Sequence, residues 1–258
     1  MIKVNLFTTG VQKYYFLLLL TWLSDYVYAQ KIQLHFDEGE QGGWVPFRTG
    51  AQANQSGVLT DVTQLISVNS EIEFIPVPLP ARRAQQALEK GLIDFDIICL
   101  EWLNQGQKSQ SFVTSEPLFE VTEHLITLPS KQNLFPDRAS IFGKYVGTIA
   151  GYFYFDDSQF KRVDFLNENQ LLLGLKHKRF DVIILERETA KYWASQHKMD
   201  IKFTALHSKG NLLIRLRQEH AELMPQINET IQYIKQSGAL QNILDKHGVD
   251  SKVSYTKM

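Results

Sequence analysis

The sequence predicts an α/β fold built as two similar lobes, and two observations carry that expectation. From Lys31 onward, short strand-like apolar runs alternate with stretches at helical spacing. That order builds helices packed over largely parallel sheets. The series also runs twice, restarting near Phe142, and each pass has a strand that ends in a Gly-containing loop. The chain of 258 residues is long enough for one large domain or two ordinary ones, each with a sizeable core.

The elements follow in order. "KIQLHF" places Ile32, Leu34 and Phe36 on one face and reads as the first strand. The loop "GGWVPFRTG" comes next, with two large rings between glycines. In "SGVLTDVTQLISVN", Leu59, Val62, Leu65 and Ile66 recur at helical spacing. "EIEFIPVP" is a strand closed by prolines, and "ARRAQQALEKG" is a short helix stopped by Gly91. "DFDIICLEW" is apolar almost throughout, as suits a strand covered on both faces. The second series opens with the strand "GKYVGTIAG" and the aromatic-rich "YFYFDDSQF". "NENQLLLGLKHKRF" is a helix capped by Asn167 or Asn169, "DVIILER" a buried strand, "ETAKYWASQHK" a helix and "IKFTAL" a strand. "NLLIRL" and two helices, "HAELMPQINETIQYIKQSG" and "ALQNILDKHG", close the chain.

The first 29 residues differ in kind. Lys3 and Lys13 precede the run "YYFLLLLTWL", and "SDYVYA" follows. A basic start, a short apolar stretch and small residues before a cut have the plan of a secretory signal peptide. Cleavage after Ala29 would leave Gln30 as the N-terminus, and an apolar run this short falls well below the roughly 20 residues of a membrane span. An exported, periplasmic protein is therefore expected. The single Cys99 permits no internal disulfide, and inside "DFDIICLEW" it reads as core.

Charge excludes some partners. With 27 Lys+Arg against 28 Asp+Glu there is no basic footprint for nucleic acid. The seven histidines show no metal-ligand spacing, and HExxH, CxxC, G-x-S-x-G and phosphate-binding glycine loops are all missing. No catalytic residue, metal or cofactor is expected. In open α/β sheets ligands bind beyond the carboxyl ends of the strands. At those ends stand Trp44, Glu101, Trp102, Tyr152 and Glu186. Rings with a few charges suit a small-molecule pocket. Trp44 faces either the ligand or the core edge, as does Trp102, whereas Phe47 reads as core. Glu186 ends a buried strand, so it needs Arg187, another base or a ligand cation beside it.

These motifs, in this order, resemble the extracellular solute-binding proteins of the polar amino-acid family that serve ABC importers. The residues carrying the likeness are "GWVPFR…SGVLTDVTQLI", "PARRAQQALEKGLIDFDI", "FVTSEPLFEVTEHLIT", "GKYVGTIAGYFY", "HKRFDVIILERETAKYW" and "IQYIKQSGALQNILDKHG". The resemblance implies a two-lobe periplasmic-binding-protein-like fold of type II, with lobes joined by two crossing hinge strands. Lobe 1 would comprise 30–126 plus 210–258 and lobe 2 would comprise 127–209, after a signal peptide at 1–29. It further implies that Trp44 stacks on the ligand, Glu186 receives its amino group and Tyr152 lies on the carboxylate side. Where the family has a carboxylate-binding Arg this chain has Lys108, a point charge in place of a two-pronged grip. The family's aromatic before the helix Arg is Ala81 here, which widens the cleft.

The expected function is capture of a small polar, amino acid-like solute by a monomer. Hinge closure would then be read by the membrane permease of an ABC importer or by a receptor. Two alternatives stand beside it. One is a small periplasmic dehydratase or lyase using Glu101 and Glu186. The other is a sensor-linked binding module without a transporter.

Overall fold

The computed structural model describes residues 31–50, 54–107 and 110–255, so the 1–29 segment and Lys108 lie outside the described residues. The chain divides into two compact units, Met1–Ile32 and Gln33–Met258. Sheet, helices and cavity belong to the second, apart from the residue that opens the first strand. Among the described residues no helix is long and apolar enough to cross a membrane.

Strand β1 (Ile32–Asp37) buries Leu34 and Phe36. Helix α1 (Val58–Val68) lays Val58, Leu59, Val62 and Ile66 against the same core. After β2 (Ile72–Val77), helix α2 (Ala81–Glu89) starts behind Pro80, and Gly91 follows it at φ +69. Strand β3 (Phe95–Cys99) lies parallel to β1 and directs Phe95, Ile97 and Cys99 into this first core. Helices α5 (Met224–Gln236) and α6 (Ala239–Lys246) complete it. The sequence reading began α5 at His220; Gln218–Leu223 is instead a 3-10 turn, and the α-helix starts beside Pro225, where a missing N–H costs nothing.

The second core surrounds β8 (Val182–Glu186). Val182 and Ile184 enter one cluster of buried side chains, and Ile183 and Leu185 enter another on the opposite face. A strand covered twice must be apolar throughout, which is why "VIIL" does not alternate. Strand β6 (Tyr145–Ile149) is parallel to both β8 and β7 (Lys161–Phe165). The sequence reading assigns no element to β7. It is a partly exposed edge strand whose Lys161, Arg162 and Asp164 hide its strand character, as edge charges do. Helix α3 (Glu168–Lys176) is capped by Asn167, whose side chain accepts from Gln170 N–H, and α4 (Arg187–Gln196) follows β8 directly.

Two long strands join the cores. β5 (Glu120–Thr127) and β9 (Lys202–Arg217) pair antiparallel with each other. At its far end β9 pairs with β3 and with β4 (Phe112–Thr114), while β5 pairs with β8. The sheet runs β2-β1-β3-β9-β5-β8-β6-β7 with β4 off the path on β9. The runs "IKFTAL" and "NLLIRL" are thus one strand of 16 residues. Gly210 lets it pass Cys99 and Glu101, because a Cβ there would lie 2.6 Å from Cys99 Sγ and 2.0 Å from Glu101 Oε2. The expectation of largely parallel sheets holds at the two ends only. The middle is antiparallel because the chain crosses between cores through single strands that reverse direction.

Candidate functional site

A cavity opens where strand ends from the two cores face one another. Asp37 ends β1, Ile97 and Ile98 lie in β3, Glu123 in β5, and Leu185 and Glu186 end β8; all line it. Trp44 and Arg48 come from the loop after β1, Ala81, Ala84 and Gln85 from the first turns of α2, and Gly151, Tyr152 and Phe153 from the loop after β6. The cavity measures about 90 Å³. One water takes roughly 10–15 Å³ on this scale, so there is room for a small molecule of several heavy atoms.

Of the residues expected from sequence, Trp44, Trp102, Tyr152 and Glu186 line the cavity together. Glu101 does not. Its carboxylate turns away to accept from Cys99 Sγ at 3.0 Å and lies against Gly210, so Glu101 and Glu186 do not converge as an acid–base pair. Cys99 is fully buried, and burial followed by the neighbouring Glu101 pushes its thiol pKa far up, which leaves it unreactive.

Trp44 is only 7 % exposed and belongs to the first core as well as to the cavity wall. Its ring lies 4.8 Å from Phe47 and meets Trp102 edge-on at 5.8 Å, while the Arg48 guanidinium sits 5.7 Å over it. Phe47 is buried against Phe119 and does not reach the cavity. Tyr152 donates its hydroxyl hydrogen to Glu168. Burial pushes Glu168 up to about 7 against the stabilising bond from Tyr152.

The partner of Glu186 is one the sequence reading did not consider. Glu186 caps α4: its carboxylate accepts from Glu188 N–H at 3.0 Å and Thr189 N–H at 2.8 Å. Arg187 and Lys191 both turn to Glu188 instead. Burial therefore pushes Glu186 up to about 7, with the two amides pulling the other way. Directly across the sheet its neighbour is Glu123, a second buried acid on the cavity wall. Glu123 accepts from Ser208 Oγ at 2.6 Å and lies 3.4 Å from His207 Nδ1, whose Nε2 is 2.9 Å from Asp156. Burial alone would lower the His207 pKa, but the bonds to Asp156 and Glu123 outweigh it and push it up to about 9. Acids on both sides favour the protonated ring, which can donate to each.

Two further acids line the wall with their own cations. Asp37 meets Arg48 at 2.5 Å, and burial still raises its pKa despite that partner. Asp96 holds buried Arg215 by two bonds, 3.0 and 2.7 Å. Away from the cavity, Asp94, Glu219 and His220 bring ligand-type atoms within 4.8 Å of one another, a grouping that sequence spacing did not reveal, although Arg217 already grips Glu219.

The family model for bacterial extracellular solute-binding proteins, family 3, matches residues 39–250. The chain belongs to that family. Three solved structures give the fold of this family 3 protein independently. A mutant ArgBP from T. maritima shares 19% identity at TM-score 0.69, covering 83% of this chain and 95% of its own. AbpA from Streptococcus pneumoniae, bound to L-arginine, shares 17% identity at TM-score 0.68, covering 83% and 94%. The GluR0 ligand-binding core from Nostoc punctiforme, in complex with L-glutamate, shares 17% at TM-score 0.68, covering 84% and 98%. No curated protein sequence matches the chain significantly. The fold is the type II periplasmic-binding-protein fold, and solute binding is the family's role.

In this family 3 protein the two cores also touch directly. The Trp193 indole N–H, from α4, donates to Gly43 O at 2.9 Å, and Asn169 N–H, from α3, donates to Gly42 O at 3.0 Å. Gly151 lies against the start of α2: a Cβ on it would fall 2.5 Å from Arg82 Cα. Phe153 packs beside Trp102 and Ile98. The sequence does not single out Asp37, Arg48, Asp96 or Glu123, and it reads Phe153 as packing inward, whereas Phe153 lines the cavity. Asp37 had the available signal, since it stands at the carboxyl end of β1, whereas Glu123 sits mid-strand and gave none.

Proposed function

We propose that the chain captures a small polar solute in this cavity and hands it to the membrane permease of an ABC importer. The observation that carries the reading is a cavity lined from both cores by strand ends, rings and carboxylates, inside a type II fold of a solute-binding family. In this reading lobe 1 is 30–126 plus 210–258 and lobe 2 is 127–209, after a signal peptide at 1–29 that directs export to the periplasm. β5 and β9 act as the hinge. Solute touching both lobes favours the closed form, and only that difference in affinity shifts the equilibrium.

Trp44, Trp102, Tyr152 and Glu186 form the solute's immediate surroundings in this reading, and Lys108 is retained as a candidate contact. Amino acids are named as ligands of the S. pneumoniae and N. punctiforme structures, which supports a small polar solute carrying nitrogen. The test is to denature freshly purified protein, identify the released solute by mass spectrometry and titrate it back while following the melting temperature. Mass action requires the melting point to rise with solute concentration. Trp44→Ala is expected to abolish the rise. A full rise in that variant removes Trp44 from the site, and a protein that neither releases nor responds to any solute refutes the reading.

A further inference from the structure

We infer that the cavity selects a small organic cation that carries no carboxylate. The inference rests on the reading that the solute binds in this cavity, and it deepens that reading by naming the solute's class.

The argument begins with charge compensation. Four carboxylates line the cavity, Asp37, Asp96, Glu123 and Glu186, against one described cation, Arg48. Arg48 is matched by Asp37, and Asp96 is matched from behind by Arg215. Glu123 shares the single proton-bearing ring of His207 with Asp156. Glu186 has no side-chain cation among the described residues, and β-sheet register sets it opposite Glu123. Like charges facing across two strands repel, and a buried carboxylate without a counter-charge is costly. A ligand cation between them removes both penalties.

The same geometry offers a ligand carboxylate no unmatched cation among the described residues of the cavity wall, which do not include Lys108. An anion in a cleft is held by a free Arg or by the open N-terminus of a helix. Arg48 is engaged by Asp37 and spread over the Trp44 ring. The first amides of α4 are taken by the protein's own Glu186. The start of α2 packs against Gly151, where an added Cβ would lie 2.6 Å from Arg82 N. The remaining wall brings four rings, Trp44, Trp102, Tyr152 and Phe153, together with small and aliphatic residues and Gln85. Ring faces attract an organic cation through their quadrupoles, most strongly when water is excluded. Carboxylates and rings lining one cavity form a site for ammonium or guanidinium nitrogen, and a volume of about 90 Å³ keeps that cation small.

The test uses matched probes that differ at the acid group: choline against glycine betaine, and agmatine against L-arginine. L-glutamate serves as the anionic control. Isothermal titration on the full mature chain is expected to show the carboxylate-free member of each pair binding at least tenfold tighter. Glu186→Gln and Glu123→Gln are each expected to weaken it at least tenfold, with circular dichroism checking that both variants are folded. Tighter binding of L-arginine, glycine betaine or L-glutamate overturns the inference and leaves solute binding standing. Equal binding within both pairs also overturns it. If no probe binds, the inference falls, and solute capture is decided separately by the released-solute test.

Discussion

Gly151→Ala is expected to weaken solute binding while leaving both cores intact. Gly151 has φ +92, and a Cβ built on it lies 2.5 Å from Arg82 Cα, 2.6 Å from Arg82 N and 2.8 Å from Ala81 C. All three neighbours are backbone at the start of α2, so no side chain can swing aside. A left-handed alanine costs about 1–2 kcal/mol wherever the loop keeps its shape, open or closed. The overlap is different, because it exists only while α2 and the loop after β6 are together. Forcing atoms into a packed contact costs about 1–3 kcal/mol, which converts to roughly 5- to 150-fold in affinity. Gly143→Ala is the control: Gly143 has φ +73 but nothing within 4 Å of its Cβ position. It should lose about 1 kcal/mol of stability and bind normally. Calorimetric titration with the co-purifying solute and small-angle scattering with and without it would measure both variants. If the two alanine variants bind alike, and Gly151→Ala still compacts on adding solute, then closure of α2 onto this loop is not how the cavity shuts.

Other parts of the structure give sharper expectations of stability. Trp193→Phe removes the 2.9 Å bond to Gly43 O but keeps a ring beside His197, so affinity should fall by about 0.5–1.5 kcal/mol with little change in the melting point of the solute-free protein. His207 has a folded pKa raised from 6.5 to about 9. Its contribution is therefore fully present below about pH 6.5 and is lost as pH rises through about 9. Melting curves from pH 6 to 10 should show that decline, and His207→Gln should flatten it; an unchanged slope would mean the ring is neutral between its two acids. Asp96→Ala leaves the Arg215 charge buried without its two-bond partner, a loss of about 3–5 kcal/mol in urea unfolding. A loss below about 1 kcal/mol would show that Gln85, 3.2 Å from Arg215, suffices in its place.

The alternation of strands and helices and the run "VIIL" were legible because burial and periodicity are local properties. Each residue's fate there follows from its neighbours in the chain. The carboxyl ends of strands also pointed to the cavity, whose wall includes Trp44, Trp102, Tyr152 and Glu186. Glu101 was misplaced by the same rule. It follows β3 as expected, but the return of β9 with Gly210 opposite draws its carboxylate toward Cys99. β7 escaped notice because an edge strand carries charges where a central one carries valines.

The sequence by itself determined two series of α/β elements, apolar segments enough for two cores and a ring-bearing loop after the first strand. Only the tertiary structure decided how the charges are compensated. Glu123 meets Glu186 through strand register, Asp96 meets Arg215 through the return of β9, and Gly151 meets Arg82 through contact between the cores. Each of these depends on partners far apart in the chain. Electrostatic cost is set by distance in space, and spacing along a sequence carries no information about it.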